Sequence, residues 1–164
     1  MIRRMSISFW LFFVVLAMVS AASSLAVTRG KARVAVLQPR QLPRQDPFLK
    51  EYDPAKVRPQ SQASLENIYR LFERAGELGA DIVCAPEDIQ HIAPYGLYLK
   101  TKDPKTGEIF FKSLAQPVPG PISRRVGEIA RKYHMYIIAP MYVWDRDKVY
   151  NTALEVDRQG KLVG

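Results

Sequence analysis

Glu87 is the residue whose type and place best suit catalysis. It follows Pro86 directly after Asp81-Ile-Val-Cys-Ala85, a short apolar run that reads as a strand, and it opens a long stretch without periodicity. A carboxylate at the carboxyl end of a strand buried on both faces is partly desolvated. Loss of water disfavours the charged form, which raises the pKa and suits the group to act as a general base. A helix cap or a loop ion pair would use the same residue, and position alone does not separate these roles.

Cys84, three residues earlier, invites pairing with Glu87 as nucleophile and base. An odd separation along a strand puts two side chains on opposite faces, and a cysteine between Val83 and Ala85 reads as a small buried hydrophobe. His91 follows in the loop after Glu87, within reach of a substrate there, whereas His134 falls at a helix end. Neither histidine has a second ligand at metal spacing, so no zinc site is expected. A lone cysteine also excludes an internal disulfide and a Cys-rich metal site. No Gly-x-Ser-x-Gly nucleophile elbow occurs. Gly30-Lys31 and Gly160-Lys161 lack the following Ser or Thr and the first glycine of a phosphate loop. No cofactor is implied.

The basic residues are scattered. Arg124, Arg125, Arg131 and Lys132 share a helix whose other face is apolar, which describes a solvated face. Lys100, Lys102, Lys105 and Lys112 would steer an acidic ligand or a membrane surface toward the loop that holds them. There is no basic stripe with interleaved aromatics, so nucleic acid is not an expected partner.

The elements that must position Glu87 follow from the apolar pattern. Ala32-Arg-Val-Ala-Val-Leu37 suits a strand buried on both faces. Prolines at 39, 43, 47, 54 and 59 make Pro39 to Gln60 a long surface loop. Leu65, Ile68, Tyr69, Phe72, Ala75 and Leu78 then recur at helical spacing, giving an amphipathic helix that starts near Ser61 or Ser64 and stops at Gly79. Asp88 to Pro119 is a second long loop, with a short helical turn inside it. Gly120-Pro121 opens another helix, on which Ile122, Val126, Ile129, Ala130 and Tyr133 share a face. Tyr136 to Trp144 is a third strand, Val149 to Asp157 a fourth, and Lys161 to Gly164 begins a fifth after the turn at Arg158-Gln-Gly160. Strands alternating with helices give an α/β class with a parallel or mixed sheet, antiparallel at one side. Ligands of such sheets sit beyond the carboxyl ends of the strands, here Gln38-Pro39, Pro86-Glu87-Asp88 and Tyr142 to Trp144.

The 164 residues, 48% hydrophobic with a net charge of +8, suffice for one globular domain and not for two. Part of that length reads as targeting. Residues 1–26 carry Arg3 and Arg4, an apolar run from Ile7 to Val19 and small residues from Ser20 to Ser24, in the order of a secretory signal. Cleavage fits after Ala22 or Ala26, and an uncleaved membrane anchor is the alternative. Either way the domain is expected to work outside the cytoplasm, periplasmic or extracellular, or held at a membrane. Neither Asn67 nor Asn151 lies in a glycosylation sequon.

Taken in order, several segments resemble a known family. Arg33-Val-Ala-Val-Leu-Gln38, Asn67 within its helix, and Gly79-Ala-Asp-Ile-Val-Cys-Ala-Pro-Glu87 are similar to the opening of the carbon–nitrogen hydrolase (nitrilase/amidase) family. Gly120-Pro121, Ala130-Arg-Lys-Tyr133, Tyr136 to Ala139, Tyr150-Asn-Thr152 and Asp157 to Gly164 continue the likeness. It covers residues 31–164. The resemblance implies a four-layer αββα sandwich, of which this chain holds the N-terminal half, preceded by the apolar signal or anchor helix. It also implies a Glu-Lys-Cys triad in which Glu87 is the general base, a cysteine thiolate attacks an amide or nitrile carbon, and a lysine stabilises the charge that develops.

Only the glutamate of that triad has a counterpart. The family's lysine lies just after the strand that Lys161 to Gly164 begins, its cysteine lies further on, and Cys84 does not match the nucleophile's position. The chain is therefore expected to be truncated before both and inactive alone. The substrate would be a small amide or nitrile, with Tyr95, Tyr98 and Phe110 of the second loop as candidate pocket residues. The family commonly pairs through its sandwiches, so a homo-oligomer is a further expectation. Two alternatives stand beside an exported amidohydrolase: a non-catalytic exported binding or scaffold domain on the same fold, and a membrane-anchored relative of acyltransferases, which the single apolar segment disfavours.

Overall fold

The elements run β1 (Val34–Val36), α1 (Pro54–Glu77), β2 (Ile82–Cys84), α2 (Pro121–Tyr133), β3 (Tyr136–Asp145) and β4 (Lys148–Val156). The four strands form one sheet in the order β1-β2-β3-β4. β1 pairs with β2 and β2 with β3 in parallel, and β4 returns antiparallel along β3. In this computed structural model the described residues are 30–40, 54–92, 102, 107, 112 and 114–164. The fold belongs to the unit Ala32–Gly164. The apolar segment 1–26 lies outside the described residues, and no helix among the described residues is long and apolar enough to cross a membrane.

Both helices pack on one face of the sheet. Ile68, Phe72 and Ala75 of α1 and Ile122, Val126, Ile129 and Ala130 of α2 meet Val83, Ile137, Ala139, Met141, Leu154 and Val156 in one core. The alternation explains the choice of sheet residues, since every second side chain of a strand faces the same way. Each large side chain withdrawn from water there stabilises the fold by about 1.5–3 kcal/mol.

Helix α2 spans the residues that the sequence indicates. Pro121 occupies its first turn, the Gly120 N–H donates to Ser123 Oγ at 2.8 Å, and His134 ends it in a left-handed conformation at φ 54°. Gly79, at φ 74°, likewise closes α1, with the Ala80 N–H reaching the Ala75 carbonyl at 3.0 Å.

Two expectations are corrected. The loop assigned to Pro39–Gln60 is helical from Pro54, so α1 begins about two turns before Ser61 and carries Pro59 inside it. A proline there removes a backbone bond and disfavours the helix locally. Packing offsets this: Val57 is buried in a second cluster with Ile92, Leu114, Ala115 and Tyr142 at the far end of β3. The second correction concerns β1, which is not buried on both faces. Ala35 and Leu37 pack on the core, but Val34 and Val36 are 63% and 78% exposed.

The layer count has the same cause. The described residues make two layers, helices on one side of a sheet, and the other face is exposed at Val34 and Val36 and half-buried at Ile82, Cys84, Tyr136 and Ile138. Val34, Ile82 and Tyr136 lie in one row across that face, and Val36, Cys84 and Ile138 in the next. Beyond β4, Val156 pairs with Leu162 and the Val163 N–H donates to the Glu155 carbonyl at 2.8 Å, so the chain turns back as the pattern indicates.

Candidate active site

The turn that carries Glu87 is built against β3. After β2 ends, the Ala85 N–H donates to the Ile138 carbonyl at 3.0 Å and the Ile89 N–H to the Pro140 carbonyl at 3.1 Å. The backbone thus leaves the ladder at Pro86, Glu87 and Asp88 and rejoins it at Ile89. Asp88 and His91 adopt left-handed conformations at φ 59° and 56°. Such conformations are strained outside glycine, although Asp and His accept them more readily than most, and they persist where the surroundings impose them. Here buried Asp88 accepts the Ile92 N–H through Oδ1 at 2.9 Å while its carbonyl accepts the His91 N–H at 2.9 Å. Ser64 Oγ of α1 donates to the Ile89 carbonyl at 3.1 Å and ties the turn to the helix layer.

Gln90, 1% exposed, extends this scaffold with its side chain. Its Oε1 accepts the Tyr142 N–H at 2.6 Å and its Nε2 donates to the Leu114 carbonyl at 3.2 Å. Just beyond, the Trp144 N–H donates to the Gln116 carbonyl at 3.0 Å. A side-chain amide therefore fills the place along β3 between two stretches of neighbouring backbone, satisfying polar groups that could not be left unpaired at this depth.

Glu87 is exposed, and Asn151 Nδ2 of β4 donates to its Oε1 at 2.7 Å. The expected desolvation of this carboxylate is therefore not supplied by the described residues, which leave Glu87 exposed. Asn151 alternates with Leu154 and Val156, which face the core, and shares its side with Ala153 and Glu155. The parity that sets Cys84 and Glu87 on opposite faces stops applying once the strand ends at Cys84. The turn brings Glu87 to the side of the sheet away from the helices, the side Cys84 also faces. Cys84 is half-buried, its thiol donates to the Ala85 carbonyl at 3.4 Å, and no hydrogen bond joins it to Glu87.

A cleft of about 440 Å³ opens beside Glu87 at the carboxyl ends of β1 and β2, two of the three places singled out by the strand pattern. Gln38 and Arg40 line it from the segment that follows β1, Asn67 from α1, and Glu87, Asp88 and His91 from the turn. His91 lines the same cleft as Glu87, while His134 sits at the end of α2, away from the cleft lining. Tyr95, Tyr98 and Phe110 lie outside the described residues. No three His, Cys, Asp or Glu side chains among the described residues converge as a metal-ligating group. Asn151 is the site residue that sequence reasoning missed. Tyr150-Asn-Thr152 figured only as a family-like segment, and its meeting with Glu87 depends on the β3–β4 register, in which Asn151 stands opposite Tyr142.

Known proteins can be set beside this geometry. The family model described as carbon-nitrogen hydrolase matches residues 33–164. A bifunctional nitrilase/nitrile hydratase of Lupinus angustifolius is 33% identical over 108 residues, covering 62% of this chain and 31% of that protein. A beta-ureidopropionase of Arabidopsis thaliana is 26% identical over 108 residues, 64% of this chain and 24% of that protein. The chain thus spans about a third or less of the length of these curated relatives. An amidase from Nesterenkonia sp. shares the fold at a TM-score of 0.54 and 17% identity, covering 87% of this chain and 44% of that one. With the family match running from the start of the first strand through the Glu87 turn to Gly164, this chain belongs to the carbon–nitrogen hydrolase family.

Proposed function

We propose that this chain is the base-bearing portion of a hydrolase acting on non-peptide carbon–nitrogen bonds, amide or nitrile, with Glu87 as general base. The observation that carries this reading is the Glu87–Asn151 pair at the edge of the cleft, in a chain of this family. In the proposed reaction Glu87 takes the proton of a cysteine thiol. The thiolate bonds to the amide or nitrile carbon, and a lysine stabilises the negative charge that develops on the substrate. For an amide, the protonated base returns the proton as ammonia or an amine departs. Water then cleaves the resulting thioester, regenerating thiol and carboxylate. The names of the relatives, a nitrilase/nitrile hydratase, a beta-ureidopropionase and an amidase, support a small amide-like or nitrile substrate.

No cysteine or lysine of this sequence matches the other two triad positions, and the one cysteine, Cys84, is held in the sheet. The 164 residues alone are therefore proposed to be inactive. In the whole domain a second sheet would cover Val34, Val36 and Ile138, complete the αββα sandwich and desolvate Glu87. The basic and apolar pattern of residues 1–26 supports export or membrane attachment of that domain, and pairing of two sandwiches would give a homo-oligomer. The exposure of Glu87 favours a second reading, a binding domain that retains the cleft without turnover. Ammonia release from a panel of simple amides and nitriles tests the first. The purified chain should release no more than its Glu87→Gln variant, and release above that control would overturn the proposed inactivity. Saturable retention of an amide without turnover, persisting when a lysine and a thiolate are supplied in the same fold, would favour the second.

A further inference from the structure

We propose that Asn151 is the positioning residue of the base: its amide fixes the Glu87 carboxylate through Oε1 and leaves Oε2 as the oxygen presented for the proton. This deepens the reading of Glu87 as a general base and rests on it. Three observations carry it. First, the 2.7 Å contact from Asn151 Nδ2 is the one hydrogen bond that the described residues make to Glu87, and it engages Oε1 alone. A carboxylate has about four lone-pair sites on its two oxygens, so one donor sets its orientation while Oε2 keeps its capacity to accept.

Second, both ends of the contact are referred to the same two residues of β3. The Glu87 turn is fastened to the Pro140 carbonyl through the Ile89 N–H and to the Tyr142 N–H through Gln90. Asn151 stands opposite Tyr142, and Ala153 opposite Pro140, in the β3–β4 ladder. The donor and the carboxylate thus share one rigid frame, and the hydrogen bond does not have to order a mobile loop. Third, the donor is neutral. A hydrogen bond to an ionised acceptor is shorter and stronger than one between neutral groups, yet an amide holds the carboxylate without cancelling its charge as Lys or Arg would. Asn67 also lines the cleft, but no hydrogen bond links it to Glu87.

The sequence supplies a direct test, because Asn67 and Asn151 are the only two asparagines. The full chain labelled with nitrogen-15 on asparagine gives two side-chain amide signals, assigned by Asn67→Ser or, where that variant does not fold, by Asn151→Ser. Both are followed by NMR through the carboxylate range, about pH 3 to 6. The Asn151 amide should move along a single-proton titration curve that disappears in Glu87→Gln, while the Asn67 amide stays indifferent to that substitution. A residue serving only to shape β4 would show no such dependence. An Asn151 amide that does not titrate, or that titrates unchanged in Glu87→Gln, overturns the positioning role. Failure of the base reading is separate: turnover by the whole domain that is indifferent to Glu87→Gln removes the base and leaves the Asn151 coupling measurable.

Discussion

Replacing Gln90 by leucine should destabilise the chain severely although the two side chains are similar in size. The substitution removes the acceptor of the Tyr142 N–H and the donor to the Leu114 carbonyl, at a residue 1% exposed between two that are 7% and 8% exposed. Each backbone group that loses its partner at this depth costs about 1–3 kcal/mol, so the pair costs about 2–6 kcal/mol. That is a large share of the roughly 5–15 kcal/mol by which domains are stable. In urea, where the slope is about 1–3 kcal/mol per molar, the unfolding midpoint should fall by about 1 M or more. Gln90→Glu sharpens the test. Its carboxylate oxygen still accepts the Tyr142 N–H, but it can donate to Leu114 only when protonated. Burial raises the folded pKa of that carboxyl above its unfolded value of about 4.3. The folded state then holds the proton more tightly, so Gln90→Glu approaches the native chain below about pH 4 and weakens as pH rises toward 7. A Gln90→Leu chain within about 0.5 kcal/mol of native, the range of an ordinary surface change, would refute the view that this amide completes the β3 ladder.

Gly127→Ala should lower stability despite the helix propensity of alanine. The added Cβ would lie 2.7 Å from the Gly160 carbonyl oxygen, a backbone atom of the turn after β4. The shift this demands, about 1–3 kcal/mol, outweighs the roughly 1 kcal/mol gained by removing a helical glycine, and a raised thermal midpoint would contradict the packing of α2 on that turn. Tyr69 gives an alkaline signature. Burial first, and the nearby Glu66 second, push its phenol up to about 12, against the lowering effect of Arg125. Because the folded pKa lies above the unfolded value of about 10, the stabilising effect is full below about pH 10 and is lost as pH rises toward 12. Tyr69→Phe should flatten that limb of the stability curve, and identical alkaline limbs would remove the effect.

Elements whose signals are local were legible in the sequence. Helix α2 declares itself through Pro121 at its start, Ile122, Val126 and Ile129 on one face, and His134 at its end. The hairpin of β3 and β4 follows from two apolar runs around a charged turn, and Glu87 stands beyond the carboxyl end of β2 where such sheets bind ligands. What escaped depends on contacts distant in sequence. The first turns of α1 carry two prolines and read as loop, but the burial of Val57 against Ile92 and Tyr142 outweighs that local preference. Val34 and Val36 read as core from their type, yet burial depends on what lies across the sheet. Asn151 reaches Glu87 across 64 residues through strand register, which hydropathy does not encode. Parity along β2 gave the wrong face for Glu87 because the chain leaves the strand between the two residues compared.

Ammonia release tests the account most directly when the chain is joined in one polypeptide to the remainder of a carbon–nitrogen hydrolase fold carrying the lysine and the cysteine. The native sequence should then hydrolyse simple amides or nitriles, and Glu87→Gln should cut kcat by about 10²–10⁴-fold, the range general base catalysis contributes. Turnover that Glu87→Gln leaves unchanged would contradict the assignment of Glu87 as the base.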